Sequence, residues 1–172
     1  MHYITTYPSP TGPLTLICDD RHLRVLRFRG EEAVFCPDRE QSIPMASHSV
    51  LQLTAHWLDR YFSGERPKPE ELPLKPEGSP FQKQVWQLLL EIPWGESRTY
   101  GDLASRFPGK MSAQAVGQAV GRNPIALVIP CHRVLGAGGR LTGFSAGLEI
   151  KRWLLTHEGI DYRRILREKS GR

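Results

Sequence analysis

The chain is poor in cysteine, with 3 in 172 residues, at positions 18, 36 and 131. An odd number at such wide spacing excludes a disulfide framework. No run approaches the roughly 18 apolar residues that a membrane span needs, so no membrane partner is expected. The opening residues, Met1-His2-Tyr3-Ile4-Thr5, lack a basic segment leading into an apolar stretch. No secretory signal is therefore expected, and the expected setting is the cytoplasm, where thiols stay reduced. Internal repeats and a collagen-like glycine period are also missing. Cys18 and His22 would make half a metal site, but no second pair follows at ligand spacing, so no metal site is expected. Cys18 and Cys36 read as small buried hydrophobes.

What is there suffices for a globular core: 40% of residues are hydrophobic, and the length suits one domain or two small ones. The formal net charge of +5 is unevenly spread. Residues 1–77 carry 9 basic and 11 acidic side chains; residues 78–150 carry 7 and 4, and residues 151–172 carry 7 and 3. All of the basic excess lies in the second half. Either a polyanionic partner or a solvated basic surface would account for it.

Strand signals run over residues 3–7, 14–18 and 22–28, with Thr11-Gly12-Pro13 as a turn. Residues 29–46 read as loop. From 47 to 62 the apolar period is helical. Residues 65–78, with Pro67, Pro69, Pro73 and Pro76, read as a Pro-rich linker or a stiff loop. The expected domains are 1–77 and 78–172. Ser79-Pro80-Phe81-Gln82 opens a helix with a capping box. Thr99-x-x-Asp102 opens a short one over 100–107, and Ser112 caps a third, Ala113–Gly121, which Asn123-Pro124 ends. The last two fit a helix-turn-helix, although the small residues of the second would equally suit packing in a core. The apolar run 125–129 reads as a buried strand or extended segment. A Gly-rich loop follows over 136–143. Leu148–His157 reads as a final helix with Ile150, Trp153 and Leu154 inward, followed by a basic, frayed tail.

Cys131 is the cysteine with chemically suggestive neighbours, Pro130, His132 and Arg133. A thiol reacts as thiolate and needs a base or positive field. His132 could supply the base and Glu158 could orient it. In an extended chain adjacent side chains point apart, so Cys131 and His132 would need a turn or a bridging water to communicate. On these residues alone, an inert buried cysteine remains open.

The wider segment, Asn123-Pro-Ile-Ala-Leu-Val-Ile-Pro-Cys-His-Arg-Val134, resembles the active-site segment of the O6-alkylguanine-DNA alkyltransferases (methylated-DNA–protein cysteine methyltransferases). Thr99-Tyr-Gly-Asp-Leu-Ala104, Ala115-Val-Gly-Gln-Ala-Val-Gly-Arg-Asn-Pro124 and Leu154-Leu-Thr-His-Glu-Gly159 resemble other motifs of that family, and the similarity runs from about residue 10 to 160. The resemblance implies an α/β, ribonuclease-H-like N-terminal domain acting as a support. It implies a mainly α, winged helix-turn-helix C-terminal domain. This would bind double-stranded DNA through the minor groove, as a monomer, with Ala113, Gln114, Ala115, Gly117 and Arg122 on or beside the recognition helix. The damaged base would be flipped into a pocket, since its O6 cannot be attacked inside the duplex. Cys131 would accept the alkyl group of O6-alkylguanine, or of O4-alkylthymine, once and irreversibly, in a displacement that needs no metal and no redox cofactor. His132 would act as base through a water, Glu158 would hold His132, Asn123 would brace the turn, and Tyr100 would bond the flipped base and protonate it on departure. Main-chain groups of Cys131, Val134 and Ser145 would read the guanine edge.

The chain departs from the family's pattern at two positions. Gln114 stands where the family usually has an arginine that fills the gap left by the flipped base. Phe144 stands where it usually has a tyrosine. Gln114 leaves room for a second reading, an alkylated-DNA sensor with weak or no transfer. A cysteine hydrolase and a winged-helix regulator are further alternatives.

Overall fold

A computed structural model describes residues 1–31 and 40–171; Cys36 and its expected burial lie outside them. The chain divides into two compact units, Met1–Gly78 with Pro124–Ile129, and Ser79–Asn123 with Pro130–Arg172. The second unit is thus not the continuous 78–172 expected. Six residues directly before the Cys131 segment belong to the first unit.

In the first unit, β1 (His2–Tyr7), β2 (Leu14–Cys18) and β3 (Leu23–Phe28) form an antiparallel meander, and β4 (Glu40–Ser42) adds to β1 in parallel. β4 falls where a loop was expected. It has no apolar alternation, all its side chains being exposed, and it is held by main-chain pairing. Helix α1 (Ser49–Phe62) covers the sheet with Val50, Leu51, Thr54, Trp57, Leu58 and Tyr61 buried. They recur at the spacing of one helical face.

The Pro-rich stretch is an ordered part of this unit. Leu23 N–H donates to Pro73 O at 2.8 Å, Lys75 N–H donates to Leu23 O at 3.0 Å, and Trp57 Nε1 donates to Lys68 O at 2.9 Å. Proline keeps a chain extended, and the residues between prolines still offer groups for β3's edge. A little further along that edge, Leu26 N–H donates to Pro124 O at 3.0 Å and Ala126 N–H to Leu26 O at 2.8 Å. Residues 125–129 are therefore not a strand. Beyond one bridge at Ile125 they form a turn, with Leu127 at φ 67. All five side chains are buried, so the apolar run reported burial rather than conformation.

In the second unit, α2 (Pro80–Leu90) begins with the expected capping box, the Ser79 side chain accepting from Gln82 N–H and Gln82 from Ser79 N–H. β5 (Arg98–Thr99) leads into α3 (Tyr100–Ala104), where Thr99 and Asp102 make a second box. α4 (Ala113–Gly121) is capped by Ser112 and buries Val116, Ala119 and Val120. Trp86 Nε1 donates to Ala119 O at 2.9 Å and fixes α2 to α4. β6 (Val134–Leu135) pairs in parallel with β5, which brings the start of α3 beside the Cys131 segment. α5 (Leu148–His157) follows as expected, but its inward face is Lys151, Leu154 and Leu155. Trp153 is exposed and stacks on His157. The buried face is rotated by one position from the expected Ile150, Trp153 and Leu154 because Lys151 is buried.

The tail is not frayed. It forms α6 (Tyr162–Ser170), with the Asp161 side chain capping Arg164 N–H. Tyr162 packs in a cluster with Leu135, Leu155 and Ile160, against which Leu141 and Ile165 also lie.

Candidate active site

Cys131–Arg133 form a single 3-10 turn, closed by Arg133 N–H to Pro130 O at 3.1 Å. The extended geometry that would have separated Cys131 from His132 is therefore absent. Cys131 is 8% exposed and lines a small cleft with Tyr100, Gly117, Val120, Gly121, Gly143, Phe144 and Ser145.

Behind the cleft lies a buried charge network. His132 Nε2 and Glu158 Oε1 are 2.6 Å apart. Arg133 grips the same carboxylate through Nε to Oε2 at 2.6 Å and Nη2 to Oε1 at 3.1 Å, and its Nη1 donates to Ile92 O at 2.6 Å. Burial alone would push Glu158 up, but His132 and Arg133 outweigh it and hold the carboxyl at about 2. Burial pushes His132 down, more than Glu158 raises it, and Arg133 and Lys151 lower it further. The pair is thus a carboxylate beside a neutral imidazole. An ionised carboxylate accepts only, so Nε2 carries the proton and Nδ1 the lone pair. Nδ1 is buried and without a hydrogen-bond partner among the described residues.

Two side chains that the sequence did not single out complete the network. Arg133 was noted only as a neighbour of Cys131. Lys151 is buried, and its Nζ donates to Val134 O at 2.6 Å and Thr142 O at 3.3 Å. Burial pushes its ammonium down to about 8. Neither shows in hydropathy patterning, which places Arg and Lys outside. The available signal for Arg133 was its place in a turn with Cys131 and His132, where a carboxylate already recruited by histidine has oxygens to spare.

Tyr100 is half-buried, its hydroxyl shares a hydrogen bond with Thr142, and burial raises its pKa, so it is held as a phenol. Thr142 lies in the loop after β6, which doubles back through Gly136 N–H to Arg140 O at 2.7 Å. A Cβ on Gly136 would lie 2.8 Å from Thr142 Cγ2 and 3.2 Å from Arg140 O, so a larger residue there would make Thr142 shift.

The structure gathers some of the expected residues and leaves others apart. Cys131, Tyr100, Gly117, Phe144 and Ser145 share the cleft, with His132 and Glu158 behind it. Val134 is buried behind it as well. Its N–H bonds Cys131 O and its carbonyl accepts from Lys151, which leaves one lone pair for a ligand. Ala113 and Gln114 are exposed in the first turn of α4, Ala115 is half-buried there, and Arg122 is exposed at the helix end; none of these lines the cleft. Asn123 is half-buried where the chain leaves this unit.

Comparison with known proteins fits this geometry. A model of the 6-O-methylguanine DNA methyltransferase DNA-binding domain matches residues 80–160, and one of that protein's ribonuclease-like domain matches residues 2–76. A methylated-DNA–protein-cysteine methyltransferase of Methanosarcina acetivorans is 42% identical over 158 residues, 91% of this chain and 98% of that one. The protein of the same name from Haemophilus influenzae is 44% identical over 162 residues, 93% of this chain and 88% of that one. Among solved structures, Mycobacterium tuberculosis OGT in complex with DNA superposes with a TM-score of 0.82 at 36% identity, covering 95% of this chain and 98% of that one. The M. tuberculosis O6-methylguanine methyltransferase gives 0.80 at 40%, covering 92% and 93%. With an α/β ribonuclease-like unit, a helical DNA-binding unit and a buried Cys-His-Glu site, this chain belongs to the 6-O-methylguanine DNA methyltransferase family.

Proposed function

We propose that this chain repairs DNA by direct reversal, taking the alkyl group of O6-alkylguanine onto Cys131 once per molecule. The observation that carries this reading is Cys131 lining a cleft, in one turn with His132, whose Nε2 lies 2.6 Å from the Glu158 carboxylate. In the reaction, the Cys131 proton passes through a water to His132 Nδ1. The thiolate attacks the alkyl carbon in line, the C–S bond forms and the C–O6 bond breaks. The electron pair goes to the guanine, which takes a proton from Tyr100, and the proton on His132 restores the balance through solvent. A soft thiolate and a protonated leaving group suffice for this displacement, so the residues present supply its chemistry. The thioether product is not readily hydrolysed, so the acceptor is consumed.

Glu158 fixes the tautomer and orientation of His132, and Arg133 keeps Glu158 ionised. Phe144 offers an apolar wall, and main-chain groups of Ser145, Cys131 and the Val134 carbonyl read the base edge. Asn123 braces the chain between α4 and the Cys131 segment. α4 enters the minor groove, with Gln114 placed to hydrogen-bond the orphaned base. The protein works as a monomer in the cytoplasm, with residues 1–77 as a support. Among the described residues no helix is long and apolar enough to cross a membrane. The sensor reading is not favoured, because Cys131 and its relay are intact.

Titration with a duplex carrying O6-methylguanine tests the proposal. Demethylation should stop at one equivalent per protein and be absent in Cys131→Ala. Continued turnover, or an active Cys131→Ala protein, contradicts it.

A further inference from the structure

The residues matched by the family's DNA-binding domain end at 160, and α6 begins at 162. This helix has two chemically distinct sides. Tyr162 and Ile165 pack inward on Leu135, Leu155, Ile160 and Leu141. Arg163, Arg164 and Arg167, at i, i+1 and i+4, are all exposed and lie together on the opposite side. Nearby acids leave part of this charge uncompensated. Asp161 is engaged in capping the helix, and Glu168 pairs with Arg164 at 2.7 Å. Arg163 lies over the Tyr162 ring, and neither Arg163 nor Arg167 has a carboxylate partner among the described residues.

The position of the helix points to one class of partner. α6 packs on the turn Ala137–Gly139, which is followed by the exposed Arg140. The same loop continues to Gly143, Phe144 and Ser145 on the rim of the Cys131 cleft. A duplex that delivers a base to the cleft would pass this loop, and α6 packs beside it.

We propose that α6 is an accessory phosphate-binding helix, in which Arg163, Arg164 and Arg167 grip the backbone of the duplex whose base enters the cleft. The proposal rests on the alkyl-transfer reading above and adds a contact to it. Each phosphate neutralised contributes about 0.9 to the slope of log affinity against log salt. Because Glu168 already offsets the charge of Arg164, the three arginines count as about two net contacts, which make binding about 12-fold more sensitive to a change from 50 to 200 mM salt.

The test is the full chain carrying R163Q, R164Q and R167Q together, measured by fluorescence anisotropy on a duplex with O6-methylguanine across that salt range. The expected result is weaker binding at low salt and a slope shallower by about 2, with the corresponding triple Lys variant keeping the parent slope. Transfer from free O6-benzylguanine base should proceed at the parent rate, because the cleft is untouched. A glutamine variant with the parent's affinity and slope overturns the accessory helix, provided the parent protein binds the duplex and takes its alkyl group. A parent protein that does neither overturns the functional reading itself.

Discussion

Replacing Arg133 by alanine probes the buried network from an unexpected side. Glu158 now shares its charge between His132 and Arg133, whose Nε and Nη2 both reach it while Nη1 satisfies Ile92 O. Arg133→Ala leaves the carboxylate with His132 alone and the carbonyl without that donor. Removing one partner of a buried ion pair costs about 3–5 kcal/mol. For a chain of this size that lowers the melting temperature by roughly 6–20 °C. The same change moves the chemistry. Arg133 is one of the groups that lower the pKa of His132. Without it Glu158 pulls the imidazole up, and His132 becomes protonated at higher pH. Only neutral His132 can take the thiol proton, so the acid limb of the single-turnover transfer rate moves to higher pH. Glu158→Gln removes a raising influence instead, so its acid limb moves to lower pH while the rate falls through lost orientation. Arg133→Lys keeps the charge without the fork and should lie between parent and alanine variant in both readouts. The assay is transfer rate against pH on an O6-methylguanine duplex, paired with thermal melts. An acid limb that stays put or moves down in Arg133→Ala, or a melting temperature within a degree or two of the parent, refutes the reasoning.

Lys151 makes a prediction with its own sign. Its folded pKa of about 8 lies below the ordinary lysine value, so the unfolded chain binds the proton more tightly. The charged form penalises the folded state below pH 8, and the penalty lifts as pH rises from about 8 to 10.4. Melting temperatures at pH 7 and 9.5 should show that gain in the parent and its loss in Lys151→Met. Gly117→Ala should raise stability by up to about 1 kcal/mol, since the added Cβ meets the Tyr100 ring at 3.5–3.6 Å, an ordinary contact. It should also narrow the cleft, slowing transfer of a benzyl group more than of a methyl. Equal slowing would show that Gly117 does not gauge the alkyl group. Gln114→Arg should tighten binding to the damaged duplex by about tenfold, the worth of one charge-assisted hydrogen bond. Unchanged affinity would show that Gln114 is no deficit.

The readable parts of the sequence were those where one residue does one local job. Ser79 with Gln82, Thr99 with Asp102, and Ser112 each set a helix start that the structure reproduces, because a cap is decided within a single turn. Cys131, His132 and Glu158 were legible from resemblance, and their assembly rests on a 3-10 turn and a helix end that patterning could not supply. The misreadings arose where tertiary contacts override local preference. The run 125–129 bends because Leu26's main chain takes it up. β4 exists through pairing with β1 rather than through its own side chains. Lys151 and Arg133 are buried because carbonyls and a carboxylate await them. α6 is ordered by Tyr162 and Ile165, apolar residues in a mostly polar tail.

The central claim is that Cys131 is the alkyl acceptor. Mass analysis of the peptide bearing Cys131, after incubation with a duplex carrying isotopically labelled O6-methylguanine, tests it most directly. The account predicts the mass of one labelled methyl on Cys131, at no more than one per molecule, with unmodified guanine left in the duplex. Label on another residue, or guanine restored while Cys131 stays unmodified, would contradict it.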